Sequence, residues 1–97
     1  MSVYFVANIR IKDQEAFNEY RAKVDAVFNR YSGEYLSIDD NPIILEGEWK
    51  YSRLVLIRFP DIDSLNQWYY SEDYQDILKL RLNGADCDTF VVQGREG

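Results

Sequence analysis

The stretch of the chain that decides its fold is EGEWKYSRLVLIRFPDIDSLNQWYYSEDYQDILKLR, residues 46–81, which contains both tryptophans. Residues 53–59 form an apolar run with branched side chains, which is typical of a central strand. Pro60 ends this strand, and Asp61 and Ser71 are suited to cap the helical segments that the following apolar spacing predicts. The stretch therefore predicts a strand and then two helical segments, the second of which extends to about residue 82.

Arg81 lies in the apolar face of the second helical segment. Its neighbours on that face are Tyr74, Ile77 and Leu78. Helical spacing points the guanidinium inward, and a buried charge must have a partner. We expect Glu46 to supply a carboxylate for an ion pair that ties the helix to the sheet. In the alternative, Arg81 or Arg53 holds the carboxylate or phenolate of a ligand by paired hydrogen bonds.

Working outward, strict alternation marks an N-terminal strand at residues 3–11. One face is wholly apolar, with Val3, Phe5, Ala7, Ile9 and Ile11. The other face is mixed, with Tyr4, Val6, Asn8 and Arg10. Because successive side chains of a strand point to opposite sides of the sheet, we expect the apolar face to lie under helices and the mixed face to stay uncovered.

A long helix follows the N-terminal strand. Asp13 is suited to cap it, and the helix is predicted to continue to about residue 30. Its apolar side chains fall on one side at 3.6 residues per turn: Phe17, Tyr20, Val24, Val27 and Phe28. Gly33 is predicted to end the helix at its C′ position.

The remaining segments supply the other strands. Residues 34–39 and 43–45 are predicted strands separated by a turn, and residues 89–93 are the predicted last strand. Residues 86–88 are assigned to a solvated loop because two of them are acidic. Residues 94–97 are predicted to be a frayed tail.

The order β-α-β-β-α-β is the split βαβ pattern. It predicts an α+β fold, a ferredoxin-like sandwich whose four-stranded antiparallel sheet carries its helices on one face. A chain of 97 residues fits one domain, residues 1–97.

Composition argues against several classes of partner. The net charge is −6 with no extended basic run, which argues against nucleic-acid binding, because that binding depends on cations that neutralise phosphates. The chain has no histidine, and its one cysteine, Cys87, cannot form an intrachain disulfide. We therefore predict no metal site and no cofactor. No apolar run approaches the ~20 residues of a membrane span, so we predict a cytoplasmic protein without membrane contact.

Several elements together resemble a known family. They are Glu46-Gly47-x-Trp49, Phe59-Pro60, Trp68-Tyr69-x-Ser71-x-x-Tyr74-Gln75 and Arg81. The combination is similar to the family of the domain of unknown function 1330, and the similarity covers nearly the whole chain. It implies the dimeric α/β-barrel superfamily, in which two ferredoxin-like sheets pack open face to open face.

That resemblance implies the fold and the dimer of this chain more firmly than it implies any reaction. The superfamily also contains cofactor-independent quinone-forming monooxygenases, haem-degrading enzymes, lactone isomerases and chlorite dismutases. The chain departs from the family's usual residues at Ser32, where a second glycine is common, and at Asn8 and Arg58, where acidic residues are expected.

The uncovered face of the predicted sheet has an apolar centre. It carries Val6 together with Leu54 and Leu56, and a monomer in water avoids such a patch. We therefore predict a homodimer through the open sheet face. Asn8 and Arg58 lie on the same face, either as the polar rim of the interface or as groups aimed at a ligand inside the barrel.

Aromatic residues are candidates for the walls of a ligand pocket. Trp68 and Tyr69 have the helical spacing of core residues, whereas Trp49 follows Gly47 in a loop and is the better pocket candidate. The full set of candidate ligand-binding residues is Asn8, Tyr31, Glu46, Trp49, Arg53, Arg58, Trp68 and Arg81.

Two functions remain open, and the residues do not decide between a binder and an enzyme. The first is a binding module for a small aromatic or anionic metabolite in a pocket at the sheet face, because no recognisable catalytic set is present. The second is a cofactor-independent monooxygenase or isomerase acting on a phenolic or lactone substrate. In that case an arginine stabilises a developing oxyanion and Asn8 or a tyrosine orients it. This second function rests on the resemblance.

Overall fold

The computed structural model describes residues 1–95. Its elements in chain order are β1 (Val3–Ile11), α1 (Gln14–Phe28), β2 (Glu34–Asp39), β3 (Arg53–Phe59), α2 (Ile62–Tyr69), α3 (Glu72–Gly84) and β4 (Ala85–Gln93). The strands form one four-stranded antiparallel sheet in the order β2-β3-β1-β4. The predicted α+β, ferredoxin-like arrangement is confirmed.

Short polar side chains fix where the helices start. Asp13 accepts hydrogen bonds from backbone N–H groups in the first turn of α1. Asp61 and Ser71 do the same for α2 and α3. The first N–H groups of a helix have no carbonyl partner within it. Each capping side chain therefore accepts a hydrogen bond from a donor that would otherwise be unpaired in the protein. All three predicted caps are confirmed.

The end of α1 differs from the prediction. The helix ends at Phe28, with Asn29 as its C-cap, and Gly33 lacks the positive φ of a C′ glycine. Gly33 is needed for space instead. A Cβ at this position would lie 2.6 Å from Cζ of Phe28 and 2.7 Å from Cζ of Phe59, so the chain passes against two core rings where only glycine fits.

The strand predicted at residues 43–45 is wrong. Residues 40–52 form an irregular connection between β2 and β3, in which Ile43 and Leu45 are 89% and 90% exposed. Residues 43–45 pair with no strand of the described chain, and β3 has both edges occupied, by β2 and by β1.

The last strand is longer than predicted. β4 begins at Ala85, so the assignment of residues 86–88 to a loop is wrong. Asp86 and Asp88 pair with Arg10 and Asn8 of β1. Both aspartates are exposed, so their charges stay in water while the backbone pairs.

The predicted tail at residues 94–97 is only partly within the described chain. Gly94 donates its backbone N–H to the carbonyl oxygen of Ser2 at 2.8 Å, which continues the pairing of β4 with β1. Residues 96 and 97 lie outside the described residues.

The two faces of the sheet differ. The helix-covered face carries the sheet's share of the core: Val3, Phe5, Ala7, Ile9, Ile57, Phe59 and Ala85. We call the other face the open face, and it contains Tyr4, Val6, Asn8, Leu54, Leu56, Arg58, Phe90 and Val92. Phe90 and Val92 are 48% and 41% exposed, so β4 makes the apolar patch wider than the sequence predicted. Within residues 1–95, no helix has the length and apolar character to cross a membrane.

Candidate functional site

A cavity of about 440 Å³ lies between α1 and the helix-covered face of the sheet. Buried side chains line its deep end: Phe5, Phe17, Tyr20, Ile57, Trp68, Tyr74 and Arg81. Exposed side chains surround its mouth: Asn18, Arg21, Ala22, Asp25 and Ile38. Its volume and its mostly apolar walls are those of a small-molecule site.

Arg81 is the main charged group of the deep end. Helix α3 places it on the same face as Tyr74, two turns earlier, and its side chain is only 3% exposed. The guanidinium carbon lies 5.9 Å from the ring centre of Tyr20, and its other polar neighbours are Tyr74 and Cys87. Its Nε and Nη1 have no hydrogen-bond partner. No carboxylate of residues 1–95 forms an ion pair with it.

The predicted ion pair between Arg81 and Glu46 is therefore wrong. Glu46 is exposed in the irregular segment at residues 40–52, whereas Arg81 is buried between α3 and the sheet. The prediction placed Glu46 at the end of a strand, and that strand does not form. The inward orientation predicted for Arg81 is correct, but its charge is left without a carboxylate partner.

Trp68 is both a core residue and a wall of the cavity. Its side chain is 1% exposed, and its ring stacks on Phe59 at 5.4 Å and meets the edge of Phe5 at 5.2 Å. Its indole Nε1–H has no hydrogen-bond partner. Buried donors in proteins are nearly always satisfied, so an unpaired one on a cavity wall calls for an explanation.

Tyr20 and Tyr74 form a buried pair at the same end of the cavity. Their hydroxyl oxygens are 2.8 Å apart. Burial, followed by repulsion from Tyr74, raises the pKa of Tyr20 well above its usual value. Burial also raises the pKa of Tyr74. Both side chains are therefore neutral phenols at physiological pH, and one of their two hydroxyl protons is left for another acceptor.

These raised pKa values predict a loss of stability in alkali. In the unfolded chain tyrosine loses its proton near pH ~10, whereas folded Tyr20 and Tyr74 keep theirs. The folded state then binds more protons, so the contribution of these two tyrosines to the free energy of unfolding is constant below pH ~10 and falls as the pH rises further. Urea unfolding followed by circular dichroism from neutral pH to about pH 11 measures the fall.

Replacing both phenols by phenylalanine is the matched test of this prediction. The double variant Tyr20→Phe, Tyr74→Phe is expected to lose less stability in alkali than the natural chain. Tyr70→Phe serves as the control, because Tyr70 is 70% exposed and its change is expected to leave the alkaline decline as it is. An equal decline in all three proteins would contradict the assignment to the buried pair.

Arg53 also lies on the cavity wall, but its charge is compensated. Its Nε and Nη2 donate to the carboxylate of Asp40 at 2.6 and 3.1 Å, and its guanidinium carbon lies 5.9 Å from the ring centre of Phe17. The hydrogen bond from Arg53 holds the pKa of Asp40 below its usual value. The paired hydrogen bonds that Arg53 was predicted to make with a ligand are therefore made with Asp40.

Asn8 and Trp49 face away from this cavity. The indole Nε1–H of Trp49 donates to Oδ1 of Asn8 at 2.9 Å, across the open face. Trp49 also packs on Tyr51, whose hydroxyl donates to Asp88. The polar end of the open face is thus engaged in contacts within the chain.

The structure divides the predicted site residues into three groups. Arg53, Trp68 and Arg81 line the cavity. Asn8, Arg58 and Trp49 belong to the open face. Tyr31 is half-buried against the core, and Glu46 is exposed. A ligand pocket was predicted at the open face, whereas this cavity lies on the opposite, helix-covered side of the sheet.

The tyrosine pair is not among the predicted site residues. Tyr20 and Tyr74 were assigned to apolar faces without a polar role. The available signal was the spacing of Tyr74 and Arg81, which puts a phenol and a guanidinium on one inward helix face. Within residues 1–95, no group of three or more His, Cys, Asp or Glu side chains is placed to hold a metal ion.

Comparison with known proteins identifies the family and the fold. The model of the family described as domain of unknown function (DUF1330) matches residues 2–95. No curated protein matches the sequence. A protein of unknown function from Rhodopseudomonas palustris has a TM-score of 0.79 and 14% identity, over 99% of this chain and 84% of that one.

Two other solved structures extend the comparison. A dimeric ferredoxin-like protein of unknown function from Jannaschia sp. CCS1 has a TM-score of 0.79 and 13% identity, over 97% of this chain and 100% of that one. SnoaB, a cofactor-independent oxygenase from Streptomyces nogalater, has a TM-score of 0.69 and 14% identity, over 99% of this chain and 95% of that one. At these identities the likeness shows the fold alone.

Proposed function

This chain belongs to the DUF1330 family, and we propose that it binds a small aromatic or anionic metabolite in the cavity between α1 and the sheet. One observation carries the proposal. A cavity of about 440 Å³ is lined by Arg81 and Trp68, two buried residues whose side chains have N–H donors that no protein group satisfies.

Unpaired buried donors are costly for a folded chain. A buried N–H group without an acceptor costs about 1–3 kcal/mol, and a charged group costs more. In a domain whose total stability is about 5–15 kcal/mol, such a cost is large. A ligand that accepts these hydrogen bonds removes the cost, and this supports a binding role for the cavity.

The walls of the cavity favour a flat organic molecule. Aromatic rings of Phe5, Phe17 and Trp68 line it together with aliphatic side chains, and Tyr20, Tyr74 and Arg81 bring polar groups to its deep end. This combination of apolar walls and a few convergent donors is typical of small-molecule sites.

Blocking the mouth of the cavity tests the proposal. Ala22 is exposed and lines the mouth, so Ala22→Trp is expected to hinder entry while leaving the fold intact. Thermal-shift screening of the natural chain against metabolites should find compounds that raise its melting temperature. At about 100 times Kd the rise is expected to be about 10–20 °C for a domain of this size. Ala22→Trp should reduce that rise at the same ligand concentration.

Ala26→Trp is the matched control. Ala26 is exposed one turn further along α1 and does not line the cavity, so this variant should respond to ligand as the natural chain does. Equal ligand responses of the two tryptophan variants would place binding elsewhere. The absence of any stabilising compound would contradict the proposed function.

A second candidate is chemistry on the bound molecule, as a cofactor-independent oxygenase or isomerase. It is favoured by the same unpaired donors, because Arg81 and Trp68 would stabilise an oxyanion that develops on a phenol or lactone. The structural neighbour SnoaB is a cofactor-independent oxygenase.

Conversion of a phenol to a quinone consumes O2, places one oxygen atom in the new carbonyl and releases the other as water. Oxygen uptake with a naphthol is expected for an oxygenase and not for a binder.

We also propose that the chain forms a homodimer through the open face. The apolar centre of that face, with Val6, Leu54, Leu56 and Phe90, is too large to be favourable in water. Dimeric ferredoxin-like neighbours support an assembly of two copies. The ligand cavity lies on the other side of the sheet, so its mouth on α1 stays accessible in such a dimer.

A further inference from the structure

We infer that the ligand of the cavity is a monoanionic aromatic acid, whose carboxylate accepts hydrogen bonds from Arg81 and from the indole N–H of Trp68. This inference rests on the proposed function and names the class of molecule that the site takes. It follows from the charge, the donors and the shape of the deep end.

The charge of the deep end is a single uncompensated cation. Arg81 is buried and has no carboxylate partner within residues 1–95. Arg53 is neutralised by Asp40, and at the mouth Arg21 and Asp25 are exposed and opposite in sign. The chain as a whole carries −6, so this positive site is a local feature. A ligand with one negative charge compensates it, whereas a dianion would bring a second charge with no buried partner.

The polar groups of the deep end offer donors. Nε and Nη1 of Arg81 and Nε1 of Trp68 are unpaired N–H groups. The pair of Tyr20 and Tyr74 has one hydroxyl proton left after its mutual hydrogen bond. A carboxylate has two oxygens with about four acceptor positions and donates nothing, which suits this set. An amide or alcohol in the same place would bring its own donors against Arg81.

The apolar walls of the cavity favour an aromatic ring system as the other part of the ligand. Phe5, Phe17 and Ile57 line the cavity and have no polar side-chain atoms. A flat ring system buried against them gains the hydrophobic and stacking contributions of aromatic contacts. The carboxylate of the ligand is thus expected to lie at the deep end of the cavity, and its ring to extend toward the mouth on α1.

Matched acids and amides test this inference. The probes are benzoate, naphthoate and anthracene carboxylate, each compared with its neutral carboxamide of nearly the same shape, and naphthyl phosphate as the dianion. Titration calorimetry and thermal shift at neutral pH should show that the best acid binds at least about tenfold more tightly than its amide, because charge-assisted hydrogen bonds are the stronger ones. Naphthyl phosphate should bind no more tightly than naphthoate.

Variants of Arg81 and Trp68 test whether these side chains cause the preference for acid over amide. Arg81→Gln removes the charge and should abolish the preference for acid over amide. Arg81→Lys keeps the charge without the planar fork and should retain only part of the preference. Trp68→Phe keeps an aromatic ring without the N–H and should weaken acid binding by about three- to tenfold while changing amide binding less.

The outcomes separate this inference from the proposed function. If neutral compounds bind as tightly as their acids, and Ala22→Trp weakens both, the cavity is a binding site but the inference is overturned. If no compound binds at all, both proposals fail. If Arg81→Gln does not fold, the comparison on the natural chain still decides, because equal affinities of an acid and its amide for the natural chain overturn the inference.

Discussion

Replacing Trp68 by alanine is expected to lower the free energy of unfolding by about 3–5 kcal/mol. The ring is 1% exposed and lies within 6 Å of five aromatic rings, those of Phe5, Phe28, Phe59, Tyr69 and Tyr74. Removing it forfeits these contacts and enlarges a cavity that already measures about 440 Å³. In a domain that holds about 5–15 kcal/mol in total, the loss brings the chain close to unfolding at room temperature.

Urea unfolding followed by far-ultraviolet circular dichroism measures this effect. Protein concentration must be held constant, because the stability of a dimer depends on it. Tyr70→Ala is the control: Tyr70 is an aromatic residue at the end of the same helix, is 70% exposed, and should cost less than about 1 kcal/mol. A loss below about 2 kcal/mol in Trp68→Ala would mean that the aromatic cluster does not hold the helices on the sheet.

The second large effect is expected at the open face. Leu56 pairs with Val6 in the middle of the sheet and is only half-buried in the single chain. A stable dimer buries about 800 Å² on each partner, and an aspartate at the centre of such an area would be placed against apolar side chains without a cation. Leu56→Asp is therefore expected to convert the proposed homodimer into monomers, with a fall in affinity of at least about a hundredfold.

Light scattering coupled to size-exclusion chromatography measures the mass of the assembly, and circular dichroism confirms that the variant remains folded. Ile62→Asp is the matched control, since Ile62 is an apolar residue on α2, 43% exposed, away from the open face. It should remain dimeric. A dimer of Leu56→Asp together with a monomer of Ile62→Asp would show that the chain pairs through its helical side instead.

Much of the fold was predictable because it depends on neighbours along the chain. The starts of α1, α2 and α3 follow from Asp13, Asp61 and Ser71, whose side chains satisfy N–H groups two or three residues away. The bounds of β1, β2 and β3 follow from alternation and from turn residues at their ends. The predictions failed where a segment depended on a distant partner, as at residues 43–45.

The candidate site was predictable only in part. That Arg81 points inward follows from helical spacing, and the structure places it at 3% exposure. The predicted partner, Glu46, is exposed in the irregular segment at residues 40–52. Trp68 lines the cavity, whereas Asn8 and Arg58, predicted on the open face, and Trp49, predicted in a loop, lie away from it.

By itself, the sequence determined the helices, the strands β1 to β3 and the two unlike faces of β1, because caps, periodicity and alternation are set by residues close together in the chain. Only the tertiary structure decided that the cavity lies under α1 and that Arg53 has a carboxylate while Arg81 has none. These properties depend on which side chains from distant segments meet, and the distance in space between two such groups is not encoded in their spacing along the chain. An unpaired buried charge is therefore visible only once the whole chain is packed.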